Sequence, residues 1–167
     1  MNTIVKKISF LCLILLAVVR FGHAQESRSI QVIGEVMKPL RLSLEDLGKM
    51  NVQEVTVKDR DDQSRIYKGV VLVDLLQEAG VTLGKDLRGE NLTKYLIMRA
   101  ADGYEVIYSL AEVDPEFTDN IVLLAFEMDG KPLPTGEGPF RIVASGDKRP
   151  ARWIRELRVI KVAFAQD

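Results

Sequence analysis

Between Gly146 and Lys161 the chain places Lys148, Arg149, Arg152, Arg155, Arg158 and Lys161 against only Asp147 and Glu156. Arginine offers a planar fork of donors matched to phosphate oxygens and lysine a point charge, while a glycine-containing loop lets backbone N–H groups approach the same anion. Such a segment can bind a phosphate-bearing ligand, with Lys148 and Arg152 among the contacts. The competing reading is a solvated face that balances Glu112, Asp114, Glu116 and Asp119.

Other chemistry is narrowed by the residues that occur once. Cys12 is the single cysteine and His23 the single histidine. Both lie in a segment with the layout of a secretory signal: Lys6 and Lys7, an apolar run from Ile8 to Val19, then Gly22 and Ala24 as small residues before a cut. The run is short for a bilayer span, which takes roughly 20 residues. The expectation is a signal peptide over residues 1–24 and one domain over 25–167, periplasmic or secreted, with no transmembrane anchor in the mature chain.

A mature chain without Cys or His cannot build a Ser-His-Asp triad, a cysteine nucleophile, a thiolate or imidazole zinc site, a histidine-ligated haem or a disulfide. The formal net charge of −1 becomes more acidic once Lys6, Lys7 and Arg20 leave, which argues against a nucleic-acid partner. Asp59 to Ser64 has the acid density of a calcium loop but lacks the turn glycine and the terminal carboxylate. It reads as a polar hairpin tip.

The elements that must position these residues follow from local signals. Ile30 to Val36 alternates as a first strand, and Glu54 to Lys58 reads as another. Ser43 precedes Leu44-Glu45-Asp46 as a hydroxyl cap with an acid three residues on. Val70 to Gly80 predicts a helix, with Leu72, Leu75, Leu76 and Ala79 on one face and Gly80 suited to a left-handed stop. Asp102-Gly103 between Tyr95–Ala100 and Tyr104–Ser109 is a strong hairpin signal. Ser109 with Glu112 predicts a second capped helical turn, ending before Pro115.

Ile121 to Met128 is apolar enough for a strand buried on both faces. Asp129-Gly130 should turn it back, and Phe140–Ala144 and Leu157–Phe164 supply the last strands. Strands outnumber helices and several pair locally, so the fold class is α+β with a mixed, mostly antiparallel sheet. Tyr104 and Tyr108 should share a strand face, where their hydroxyls could meet a heterocycle edge.

The order DGY at 102–104, DGKPLP at 129–134 and GPFRIVASGDKRPARWI at 138–154 resembles the molybdopterin-binding domain of the sulfite oxidase family. That family carries DGY…S, then A..MNG.PLP, then HG.P.R…PG…..KW. The resemblance covers roughly Gly34 to Val162 and implies that family's fold, with short helices, and a molybdopterin or related pterin as cofactor. It puts the pterin-contacting arginine on Arg141 and the basic residue before tryptophan on Arg152, with Pro150 and Ala151 in the loop that approaches the cofactor. The histidine that opens the family motif falls on Gly136, or on Glu137 with a small gap. The loop that should hold the metal-binding cysteine falls on Lys58 to Ile66, which contains none.

The resulting expectation is an exported protein that binds a pterin-type or other phosphorylated small molecule through Arg141, Lys148 and Arg152, without cysteine-ligated molybdenum. Two alternatives stand beside it. One is a molybdopterin-dependent oxidoreductase whose metal is held by the dithiolene alone or by an oxygen ligand, and the other is a ligand-free module that binds an envelope protein partner.

Overall fold

The computed structural model describes residues 29–165. Cys12, His23 and the expected signal peptide lie outside them. Two five-stranded sheets share one hydrophobic core. The first is built from β1 (Ser29–Gly34), β2 (Leu40–Ser43), β5 (Lys94–Ala100), β6 (Glu105–Ser109) and β10 (Leu157–Phe164), in the order β2-β1-β10-β5-β6. The second contains β3 (Val52–Lys58), β4 (Ser64–Val71), β7 (Val122–Met128), β8 (Lys131–Pro132) and β9 (Arg141–Ala144). Here β7 pairs with β4 on one side, and with β8 and β9 in succession on the other.

Every pairing is antiparallel except β1 with β10. The class expected from the sequence, a mixed and mostly antiparallel α+β fold, is the one observed.

Burial explains the strand chemistry. In β1, Ile30 and Val32 point into the core while Gln31 and Ile33 are half-exposed, the alternation of a one-sided strand. In β7, Val122 to Phe126 are all buried, as the unbroken apolar run predicts. One face of β7 is covered by α2 (Leu72–Glu78), which packs on β4 and β7 through Leu72, Leu75 and Leu76.

Helix α2 starts later than the predicted Val70. Val70 is a ladder residue, opposite Val52 on one side and Leu124 on the other. Sheet pairing therefore claims it before the helix can. Gly69 is required in that ladder, since a Cβ there would lie 2.0 Å from the Leu124 carbonyl oxygen. The helix ends as expected, with Gly80 at φ +70° and the Val81 amide donating back to the Leu76 carbonyl at 3.0 Å.

Helix α1 (Leu44–Gly48) is short and depends on its cap. The Asp46 amide donates to Ser43 Oγ at 3.2 Å, and the Ser43 amide donates to Asp46 Oδ2 at 2.9 Å. Ser43→Ala should lower stability by about 1 kcal/mol in chemical denaturation, with the slope unchanged.

The two Asp-Gly turns form where the sequence puts them. Gly103 has φ +88°, with the Ala100 amide bonded to the Tyr104 carbonyl at 2.9 Å, and Asp129 and Gly130 have φ +51° and +73°. The segment from Asp59 to Gln63 is the tip of the β3–β4 hairpin, whose last ladder pair is Lys58 with Ser64. Tyr108 is buried, whereas Tyr104 sits just ahead of β6 and is 54% exposed.

Candidate functional site

Loops at one end of the sheets converge on Arg141, the first residue of β9. Its side chain is completely buried. All its hydrogen bonds leave from Nη1, which reaches Glu137 Oε2 at 2.5 Å, the Tyr67 hydroxyl at 2.8 Å and Asp59 Oδ2 at 3.5 Å. The guanidinium carbon lies 5.0 Å from the Tyr67 ring centre and 5.8 Å from that of Trp153. The two rings meet edge to face at 6.4 Å. Arg141 therefore sits in a cage of two carboxylates and two aromatic faces, an arrangement that offsets the cost of burying a cation.

The cage perturbs its members. Burial alone would raise the Asp59 carboxyl, yet the hydrogen bonds from the Tyr67 hydroxyl and the Arg60 amide, with the Arg141 and Arg65 charges, hold it below its ordinary pKa. Burial pushes the Tyr67 hydroxyl up, and its very short hydrogen bond to Asp59 adds to the shift. Donors remain in excess. Arg141 Nε and Nη2, Trp153 Nε1 and Arg155 Nε are all buried without an acceptor.

Arg152 lies in a short 3-10 turn, Pro150–Arg152. Its guanidinium bridges Glu112 and Asp147 at 2.7 Å each and stacks 4.2 Å above the Tyr108 ring, whose hydroxyl donates to the Arg152 carbonyl at 3.1 Å. The Asp147 hydrogen bond, working against burial and assisted by Glu112, raises the Arg152 pKa. Burial would raise the Glu112 carboxyl, but Arg152 and Ser109 hold it low. Lys148 is exposed on the loop before this turn.

Beside these clusters is a cleft of about 210 Å³ lined by Arg60, Tyr104, Gly136, Ala151, Trp153 and Arg155, with Ala100, Asp102, Ile154 and Glu156 completing the wall. Of the five residues singled out in the sequence, Ala151 is on this wall. Pro150 is its neighbour and accepts a hydrogen bond from Arg60 Nη2 at 3.4 Å. Arg141 is behind the wall, separated from solvent, and Arg152 faces its two carboxylates. An open anion contact at Arg141 is thus replaced by a buried ion cage. Two elements bring this about: Glu137 stands four residues ahead of it in the loop, and the hairpin tip delivers Asp59.

The residues that sequence reasoning passed over are Asp59, Arg60 and Tyr67. Their signal was the tip itself, since Lys58 to Ile66 is where the resemblance puts a functional loop. It does reach the site, but it brings a carboxylate and a guanidinium in place of a thiolate.

The arrangement defines a class of protein: a two-sheet α+β domain with a small basic and aromatic cleft at the loop end. The family model described as "Oxidoreductase molybdopterin binding domain" matches residues 62–166, and the chain belongs to that family. Its fold is similar to that of the sulfane dehydrogenase SoxCD from Paracoccus pantotrophus, with a TM-score of 0.64 and 22% identity over 83% of this chain. This chain spans 38% of that one. No curated protein sequence matches it.

The residues can be set against the cofactor that the family name implies. The cleft cations and the unfilled donors behind them fit the anionic organic part of a molybdopterin. Among the described residues there is neither cysteine nor histidine, and no group of acidic side chains is placed to hold a metal ion. They supply no side-chain ligand of the soft kind that molybdenum takes in a thiolate site.

Proposed function

We propose that this chain is an exported domain that holds a phosphorylated pterin-type molecule in the cleft between Tyr104 and Trp153, and that it does so without a protein thiolate on a metal. The observation that carries this reading is the pair of unfilled donors on residues of the cleft wall: Trp153 Nε1 and Arg155 Nε lack acceptors in a cleft lined by the guanidinium groups of Arg60 and Arg155. A buried donor left unpaired costs about 1–3 kcal/mol, so a ligand rich in acceptor oxygens gains by filling it after a small side-chain adjustment. Tyr104, more than half exposed, offers a flat face for a heterocycle. Gly136 and Ala151 leave room for a ring to approach the backbone.

Arg155 and Arg60 take the role of first anion contacts, with Lys148 and Arg152 adding longer-range attraction and Arg141 supporting from beneath. Charge-assisted hydrogen bonds contribute about 1.5–3 kcal/mol each. Arg155→Ala should therefore weaken binding of inorganic pyrophosphate by about tenfold or more in calorimetric titration. Equal affinity for wild type, Arg155→Ala and Arg60→Ala would refute the cleft as the site.

The family match favours one second reading, a molybdopterin-dependent oxidoreductase with its metal held by the dithiolene. Metal analysis of protein purified from a host that makes the cofactor separates the two: stoichiometric molybdenum supports the enzyme, and a bound phosphorylated pterin without molybdenum supports the binding domain.

A further inference from the structure

We infer that Glu137 is a shared counter-ion that sets the charge selectivity of the cleft, lying between Arg141 and Arg155 and competing with an anionic ligand for the second of them. This inference rests on the cleft reading above. The Glu137 carboxylate is divided, with Oε2 at 2.5 Å from Arg141 Nη1 and Oε1 at 3.3 Å from Arg155 Nη2. Its backbone is fixed on both sides of the cleft loop: the Glu137 amide donates to the Pro134 carbonyl at 3.0 Å, and its carbonyl accepts from the Glu156 amide at 2.9 Å. The main chain of Glu137 is thus held beside both guanidinium groups, and only its side chain is left to swing between them.

Both guanidinium groups it serves are under-satisfied. Arg141 Nε and Nη2 and Arg155 Nε have no acceptor, so one carboxylate is stretched across more donors than it can fill. Arg155 lines the cleft and Arg141 does not. An anion that binds Arg155 supplies the missing acceptor there and frees Glu137 to turn wholly onto Arg141. It binds against the negative charge of Glu137, a penalty that grows with the charge of the anion. Glu137 thus discriminates by charge, a repulsive element built into an attractive site.

A carboxylate that served only to neutralise Arg141 would, when removed, raise anion affinity through its field alone, whether or not Arg155 is present. The shared counter-ion requires a gain that depends on Arg155. Glu137→Gln should bind inorganic pyrophosphate about three- to tenfold more tightly than wild type at low ionic strength. Binding of uncharged 6-hydroxymethylpterin should stay the same, and the gain should vanish in the Glu137→Gln/Arg155→Ala double variant.

Glu137→Asp keeps a charge facing Arg141 but is one methylene too short to span both groups, so a smaller gain is expected. It decides the matter if Glu137→Gln does not fold. Pyrophosphate binding that is unchanged or weaker in these variants, or a gain that persists without Arg155, overturns the role of Glu137 and leaves the cleft standing. A wild-type protein that binds neither probe overturns the cleft and this inference together.

Discussion

Arg141→Ala is expected to lower the free energy of unfolding by about 3–5 kcal/mol, the penalty for removing one partner of a buried ion pair. The side chain is wholly buried, and Asp59 and Glu137 are only 9% and 19% exposed, so both would be left with little solvent in its place. As an open ligand contact, the role the resemblance implies, Arg141 would be truncated with little loss of stability. Its cage reverses that expectation, and a urea titration read by the near-ultraviolet signal of Trp153 tests it.

The pH dependence has a definite sign. Asp59 is held below its ordinary pKa in the fold. Its contribution is fully present above its unfolded-state value, near 4, and is lost as pH falls through the lower folded-state value. Tyr67→Phe, which removes the hydrogen bond that does most to hold the Asp59 carboxyl low, should therefore flatten the acid limb of the stability profile. A limb as steep as that of wild type would show that Asp59 draws its stabilisation from elsewhere.

Leu124→Ala should cost about 2–5 kcal/mol, comparable with the loss of Arg141 but for a different reason. Leu124 is fully buried at the centre of the second sheet, opposite Val70 on one strand and Ile142 on the other. Removing its side chain leaves a cavity in a core where its strand neighbours Leu123, Ala125 and Phe126 are also buried. Ile107, 57% exposed on β6, is the matched control, and its truncation should stay within about 0.5 kcal/mol. Thermal unfolding that does not separate the two variants would contradict the assignment of β7 as the central strand.

What the sequence discloses and what it withholds divides along the range of the interactions. The Ser43–Asp46 and Ser109–Glu112 caps and the Asp102-Gly103 and Asp129-Gly130 turns are complete within a few residues, and each forms where expected. The start of α2 is decided by strand pairing with residues distant in sequence, so helical periodicity places it two residues early. The site depends even more on distance. Arg141 meets Asp59 across 82 positions and Arg152 meets Glu112 across 40.

Cationic composition points to the segment from Gly146 to Lys161, and Glu112 already stood among the acids that could balance it. Composition cannot tell which guanidinium is spent on a carboxylate and which remains at the cleft. Arg155 and Arg60 emerge there only because a hairpin tip and the turn after β9 end up side by side.

The one parallel pairing also governs the order in which the fold can be assembled. The first sheet contains two hairpins, β1 with β2 and β5 with β6, and among the described residues β10 alone joins them, lying between β1 and β5. It is the last strand in the described chain. During synthesis the two hairpins must wait with their inner edges open, because their common neighbour has not been made. The closing contacts span nearly the whole domain, so their loop-closure entropy is paid late and folding should be slow for a protein of this size. Until β10 arrives, the exposed edges of β1 and β5 are the point at which a nascent chain is most open to pairing with the wrong strand.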